Sequence, residues 1–263
     1  MQIPLRFDYP EFRVAVLGSG SSGNSVVIES GRDRLMIDAG FSCRQLEKRM
    51  AAIGLEPERF QGLLLTHEHG DHVRGAKRFV KRHSVPIYAT EGTLDGLPLE
   101  GATTIRSGRP FELASFRVEP FGVPHDAREP VGFVVEDRYG RRVGVVGDLG
   151  MRSRLAWAHL KELDVLVLET NHDLEMLRTG PYPWPLKQRV AGRHGHLSNE
   201  DAVTGLAEVV GDRLRWVVLY HLSRTNNSAA LAGSLVGEEL VRQGCPAEIC
   251  VSAQHEPTPW LRA

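Results

Sequence analysis

The chain has 263 residues, 41% hydrophobic and 25% charged, the balance of an ordinary globular protein able to bury a substantial core. Its formal net charge of −1 excludes a global attraction to nucleic acid or acidic membranes, so any such attraction must be local. Cys43, Cys245 and Cys250 are odd in number and lack Cys-x-x-Cys spacing, Met1 to Glu11 has no apolar secretory core, and no apolar run reaches membrane-spanning length, which together argue for a reducing cytoplasm and against a disulfide framework.

Phe12 to Leu17 reads as a strand. Gly18-Ser19-Gly20-Ser21-Ser22-Gly23-Asn24 then matches Gly-x-Gly-x-x-Gly, with Asp38 about where a ribose-binding acid would sit. That dinucleotide fingerprint needs its glycines to open a helix. Here Ser25 to Ser30 and Arg34 to Asp38 look instead like a hairpin turning at Gly31-Arg32-Asp33. Phe41 to Gly54 looks helical, with Ser42 as N-cap, and Gly62 to Leu65 reads as a buried strand.

Thr66-His67-Glu68-His69-Gly70-Asp71-His72 follows on a strand-to-helix loop. Imidazole nitrogen and carboxylate oxygen suit zinc, manganese and iron. His67 and His69 alternate and can reach one ion; Asp71 and His72, past Gly70, can turn to a second. An incidental polar loop would account for one His-x-His, not for four potential ligands in this order.

Val73 to His83 is predicted as one amphipathic helix. Val73, Ala76 and Val80 share a face, and Arg74, Lys77, Arg78, Lys81 and Arg82 crowd the other with no offsetting carboxylate. Such a stripe is usually a solvated face, but beside a hydrolytic centre it would suit a phosphodiester backbone. Val85 to Ala89 reads as a strand, Glu91 to Gly108 as mixed with a short helix at best, and Phe111 to Phe121 as a strand pair. His125 follows an apolar segment and precedes the strand Val131 to Val135. Arg142 to Gly147 is a strand ending in Asp148, which by itself reads equally as an N-cap.

Leu163 to Glu169 is a buried strand whose terminal Glu169 is desolvated and needs a partner. Glu175 to Lys187, Pro-rich and aromatic, reads as a loop that covers the sheet or walls a substrate site, with Arg189 and Arg193 just after it. Ser198 caps a helix to Val210, and Arg215 to Tyr220 is a strand leading to His221-Leu222-Ser223-Arg224-Thr225-Asn226-Asn227. A helix from Ser228 to Gln243 and a strand from Ala247 to Val251 follow, and the tail from Ser252 is uninformative. His83, His159 and His255 read as ordinary surface or packing residues; His172 and His194 stay undecided.

The order His-x-His-x-Asp-His, then His125, then Asp148, resembles the signature of the metallo-β-lactamase fold hydrolases. Strand, Gly-rich loop, strand and Ile37-Asp38-Ala39-Gly40 is how many of them begin. Asn171 to Leu177, Tyr182-Pro183, Gly195 to Ala202 and His221 to Asn227 resemble one subfamily, the YycJ (WalJ or VicX) type, related to ribonuclease Z; the match runs from about Val14 to Val251. The resemblance implies an α/β chain, one domain over residues 1–263, with the metallo-β-lactamase fold: a four-layer αβ/βα sandwich holding two divalent metal ions, zinc or manganese, at the sheet edges. It implies a cytoplasmic, metal-dependent 5′-to-3′ exonuclease on double-stranded DNA, a partner class that needs no membrane, with a link to DNA repair.

By the same resemblance His67, His69 and His125 would hold one metal, Asp71, His72 and His221 the other, and Asp148 would bridge. Asp38 would orient a metal-bound histidine, with a turn-capping role as the plain alternative. Asp71 would also steer the proton of the attacking water. His196, held by Glu169, would protonate the leaving group, as in ribonuclease Z. Arg224, Asn226 and Asn227, with Ser21, Ser22 and Asn24, would contact phosphates. The segment from Asp148 to His221 is too short for a β-CASP insert, and His69 stands where flavo-diiron proteins carry a glutamate. Competing readings are a ribonuclease Z-like RNA-processing nuclease, a small-molecule ester or thioester hydrolase on the same metals, and a metal-binding regulator without turnover. The residues do not choose between zinc and manganese or set the oligomeric state.

Overall fold

Two seven-stranded sheets face each other, and each takes nearly all its strands from one half of the chain. The computed structural model describes residues 10–263; the reading of the N-terminus as free of a secretory segment falls mostly on residues outside these. The first half runs β1 (Phe12–Gly18), β2 (Ser25–Ser30), β3 (Asp33–Ile37), α1 (Cys43–Ala52), β4 (Phe60–Leu64) and α2 (Gly70–Val73). It continues with α3 (Ala76–His83), β5 (Ile87–Thr90), α4 (Glu91–Gly96) and β6 (Thr103–Ile105). The second half begins with β7 (Phe111–Leu113), β8 (Phe116–Gly122), β9 (Val131–Asp137), β10 (Arg142–Val146), α5 (Arg154–His159) and β11 (Val165–Glu169). Then come α6 (Leu174–Thr179), α7 (Trp184–Val190), α8 (Asn199–Val209), β12 (Trp216–Tyr220), α9 (Ala229–Arg242), β13 (Glu248–Val251) and β14 (Leu261–Arg262).

The sheet orders are β14-β1-β2-β3-β4-β5-β6 and β13-β12-β11-β10-β9-β8-β7. Three apolar clusters fill four layers. Val14, Ile28, Ile37, Phe133, Val145 and Val167 meet between the sheets. Leu46, Met50 and Phe79 pack α1 and α3 on the outside of the first sheet. Trp157, Leu206 and Val236 pack α5, α8 and α9 on the outside of the second. Strands covered on both faces read as unbroken apolar runs, and every residue of Val165–Glu169 is buried, including the terminal carboxylate. This is the αβ/βα sandwich expected of the sequence.

The pairing from β3 to β6 and from β10 to β13 is parallel. Parallel strands deliver their carboxyl ends to one edge of a sheet, where open α/β proteins build their sites. Asp38 follows β3, Asp148 lies just past β10, Glu169 ends β11 and His221 follows β12. Asp38, Asp148 and His221 all sit in the left-handed region, at φ 60, 51 and 57. Non-glycine residues are uncommon there, and each turns its side chain off its strand toward the edge.

Three expectations are corrected. The helix predicted over Val73 to His83 is two, α2 and α3, broken at Arg74-Gly75. The Gly75 amide bonds Ala39 O at 2.8 Å, and a Cβ there would lie 2.0 Å from Phe41 O, so the chain must pass too close to the β3–α1 loop to stay helical. Its basic face is also partly offset, since Arg82 Nε pairs with Glu47 at 2.9 Å. The Pro-rich segment is no loop. Asp173 caps α6 through the Met176 amide at 2.7 Å, and the prolines around Trp184 sit in the first turn of α7, where a missing N–H costs little. The tail carries structure too: β14 pairs antiparallel with β1, and Thr258 Oγ1 accepts the Val16 amide at 3.0 Å.

Candidate metal centre

The β4–α2 loop brings His67, His69 and His72 to the edge where Asp38, Asp148 and His221 arrive. Ligand atoms of His67, His69 and His125 lie within 4.8 Å of one another, as do those of Asp71, His72 and His221, and those of His67, His72 and Asp148. Asp148 is shared by both sides. Its carboxylate lies 2.7 Å from His72 Nε2, 3.6 Å from His221 Nε2 and 3.9 Å from His125 Nε2. The glycine at position 40 makes room for this loop: a Cβ there would sit 1.7 Å from the Asp71 carbonyl oxygen.

The outer nitrogens of the rings are tied down. Thr66 Oγ1 donates to Asp38 Oδ2 at 2.8 Å, so it receives the proton of His67 Nδ1 at 2.9 Å. Asp38 Oδ2 also takes His72 Nδ1 at 2.7 Å. Gly195 O takes His125 Nδ1 at 2.9 Å, and Glu169 Oε1 stands 3.3 Å from His221 Nδ1. His69 is turned the other way, with Nδ1 3.3 Å from His125 Nε2. Fixing one ring nitrogen by an acceptor presents the other as a lone pair, the arrangement metal-binding histidines use.

These donors fit a cation. His67 Nε2 is buried and has no hydrogen-bond partner among the described residues. Burial first, then the neighbouring His72, pushes its pKa well below that of a free imidazole, so the ring is neutral. Asp148 Oδ2 lies 2.7 Å from His72 Nε2. Burial would raise Asp148, yet the His221 and His72 imidazoles hold it well below the carboxylate range. The same opposition acts on the partners: burial lowers His221 and His72, but the Asp148 charge leads the groups that lift His221 to about 10 and His72 well above normal.

Next to this cluster stands a dyad. His196 Nδ1 donates to Glu169 Oε1 at 2.7 Å and lies 3.3 Å from Asp148 Oδ1. Against its burial, Glu169 keeps the His196 pKa raised, and the His196 charge in turn holds buried Glu169 at about 2.

The predicted phosphate contacts separate. Arg224, Ser21 and Ser22 are exposed. Asn226 and Asn227 are buried. The Asn227 amide is committed to Thr170 O at 2.8 Å and to Asn199 in both directions, so it braces the β11, α8 and β12 connections. Asn24 is also buried: it holds the Gly-rich loop through Gly20, with Nδ2 3.1 Å from His72 Nε2. His172 is buried and lowered to about 4, mainly by desolvation, while His194 is exposed and offers its carbonyl to the Asp126 amide.

The sequence reading missed four contributors. Thr66 sits inside the motif and relays Asp38 to His67. Asp126 lies 3.2 Å from His125 Nε2 and is gripped by Arg189 Nε and Nη2 at 2.8 and 2.7 Å. Asn171 Nδ2 donates to His221 O at 2.8 Å, and Ser19 Oγ accepts the His221 amide at 2.7 Å. Thr66 and Asp126, each adjacent to a predicted ligand, offered a usable signal. A separate group, Cys43, Glu47 and His83, is closed on itself: Glu47 Oε1 takes His83 Nε2 at 2.9 Å, the Cys43 thiol at 3.4 Å and Arg82.

Residues 33–221 match the family described as the β-lactamase superfamily domain. The chain is 34% identical over 237 residues to exodeoxyribonuclease YycJ of Bacillus anthracis, covering 88% of this chain and 89% of that protein. It is 33% identical over 242 residues to exodeoxyribonuclease WalJ of Streptococcus pneumoniae serotype 2 (strain D39 / NCTC 7466), with the same coverage of 88% and 89%. Among solved structures, the metallo-β-lactamase fold protein YhfI of Bacillus subtilis superposes with a TM-score of 0.70 at 16% identity, over 95% of this chain and 99% of that one. With that fold, and with relatives above 30% identity along most of its length, the chain belongs to the metallo-β-lactamase superfamily and, within it, to the YycJ/WalJ family.

Proposed function

We propose that this metal-dependent hydrolase is a 5′-to-3′ exonuclease on double-stranded DNA, working in the cytoplasm and serving DNA repair. The names of its relatives support nuclease chemistry. The observation that carries the reading is the His196–Glu169 dyad, 2.7 Å long, with the same His196 Nδ1 3.3 Å from Asp148 Oδ1 at the edge of the histidine cluster. A departing 3′ alkoxide is a poor leaving group that needs a proton, whereas a thiolate leaves without one. The free cysteines suit a reducing compartment.

His67, His69 and His125 would hold one divalent cation, and Asp71, His72 and His221 a second, with Asp148 between them; zinc or manganese suits these donors. When bound, such a pair supplies Lewis acidity to a phosphodiester and acidifies water. Asp71, half-buried and 3.4 Å from His221 Nε2, accepts the proton of the attacking water. Its carboxylate is available for this because His221 and His72, working against burial, keep its pKa low. His196 donates its Nε2 proton to the 3′ oxygen as the phosphorus–oxygen bond breaks, and Glu169, bonded to the Nδ1–H, keeps the ring protonated beforehand. Arg224, exposed on the loop after β12, contacts the phosphate backbone.

The test is incubation of the purified protein with 5′-labelled duplex DNA, single-stranded RNA and a thioester, with zinc or manganese, beside His69→Ala and His196→Ala. Stepwise release of 5′ nucleotides from DNA, abolished by His69→Ala and slowed by His196→Ala, is expected. Intact nucleic acids with a hydrolysed thioester would remove the nuclease reading while leaving the metal site.

A further inference from the structure

A cavity of about 190 Å³ opens beside His196, lined among others by Ser21, Tyr182, Leu186, Arg189 and Val190. None of these residues is needed to hold a metal or move a proton. We infer that this cavity seats the base of the departing 5′-terminal nucleotide, so that a strand end is admitted and a strand interior is not; the inference rests on the exonuclease reading above.

The side of the centre follows from the chemistry. In 5′-to-3′ hydrolysis a water oxygen bonds to phosphorus, the bond from phosphorus to the 3′ oxygen of the first nucleotide breaks, and that oxygen takes the proton. The proton donor therefore marks the side on which the first nucleotide lies. His196 is both the donor and part of the cavity wall.

Size and lining agree. Pockets for drug-sized ligands run roughly 300–1,000 Å³. At about 190 Å³ this one takes a single base-sized group, not a length of strand. Half-buried Tyr182 offers a ring face, and Leu186 and Val190 offer apolar surface. Stacking on an aromatic ring accepts every base, which an enzyme that must digest any sequence requires.

The wall is also fixed relative to the reacting phosphate. Helix α7 carries Leu186, Arg189 and Val190, and Arg189 grips Asp126 Oδ2 at 2.8 and 2.7 Å. The other Asp126 oxygen lies 3.2 Å from His125 Nε2. The pocket thus keeps its distance from the metal ligands, and a nucleotide held in it positions the next phosphate for attack.

The test compares Tyr182→Ala and Leu186→Trp with wild type on two substrates: 5′-labelled linear duplex, and bis(4-nitrophenyl) phosphate, a diester with no base to seat. Filling the cavity or removing the ring is expected to lower the ratio of DNA to small-diester turnover by about tenfold or more, the order of one base–aromatic stack. Leu155→Trp, on exposed α5, keeps the wild-type ratio. Binding is read independently with 2-aminopurine at the first or the fourth position of a duplex whose first linkage is a phosphorothioate. Only the first-position base should change fluorescence, and Tyr182→Ala should erase the change. An unchanged ratio in both variants, or a response at the fourth position alone, overturns the pocket assignment. Wild type that hydrolyses the small diester but leaves DNA intact overturns the exonuclease reading itself and, with it, the occupant assigned here.

Discussion

Glu169 Oε1 accepts His196 Nδ1–H at 2.7 Å, while Oε2 takes the backbone amides of Leu149 and Leu197 at 2.6 and 3.2 Å. The carboxylate is thereby pinned at the end of β11 with no exposure, and its charge is spent on keeping His196 protonated. Glu169→Gln preserves the shape and removes the charge. We expect turnover of DNA to fall by roughly 10²-fold, the scale of a general acid. The sign of the pH effect follows from the raised His196 pKa: activity is present below it and lost as pH rises through it. Without the Glu169 charge that loss moves to lower pH, and a pH–rate profile of the variant checks the shift.

Asp38 touches no proposed metal position, yet it fixes two rings, His72 directly at 2.7 Å and His67 through the Thr66 hydroxyl. Asp38→Asn is expected to weaken metal binding by about 10–100-fold, the usual effect of losing such a partner. Competition against a chromophoric chelator measures this. Excess metal should restore much of the activity, which a folding defect would not allow.

Gly40 lies against the loop that carries Asp71. A Cβ there would stand 1.7 Å from Asp71 O and 2.5 Å from Asn24 N, both backbone atoms that cannot swing aside. Gly40→Ala is expected to destabilise by about 1–3 kcal/mol, as other overpacked sites do, and so to lower Tm by several degrees. Calorimetry should show this together with reduced metal content.

The strands, and the gathering of the histidines and aspartates at one edge, were readable because their signals are local. β11 and β12 are unbroken apolar runs between two covered faces, and the histidines of the β4–α2 loop stand within one short motif. Ser42 and Ser198 cap where the pattern put them, on the Gln45 and Asp201 amides. The misread parts depend on distant partners. At the break before α3 the Gly75 amide bonds Ala39 O at 2.8 Å instead of continuing the helix, and Gln254 reaches Gly23 O across 231 positions to hold the Gly-rich loop. Pro185 looked like a loop residue because its place in the first turn of α7 is visible only once the helix is. Asn227 carries the polarity of a phosphate contact, and its bonds to Thr170 and Asn199, partners far away in the chain, are visible only in the fold.

Metal removal should cost stability as well as activity. The cluster packs His67, His69, His72, His125 and His221 around Asp71 and Asp148, and His67 Nε2 has no hydrogen-bond partner among the described residues. A cation that binds only the folded chain stabilises it by about 4 kcal/mol at a thousandfold excess over Kd. Dialysis against a chelator is expected to abolish hydrolysis and lower Tm, both restored by zinc or manganese. An unchanged Tm would mean that the cluster does not bind metal tightly.

The exposed face of α3 offers an internally controlled test of whether DNA runs along it. Lys77, Arg78 and Lys81 are exposed and form no salt bridge among the described residues, whereas Arg82 is paired with Glu47 at 2.9 Å. A free cation that meets a phosphate releases a counterion and steepens the salt dependence of binding by about 0.9 in the log–log slope; a cation already neutralised does little. Lys77→Ala and Lys81→Ala should therefore each flatten the slope by close to that amount, and Arg82→Ala should not. Equal slopes for all the variants and wild type would leave this face as an ordinary solvated helix surface. A loss of slope confined to Arg82→Ala would mean that the Glu47 pair opens to admit the backbone.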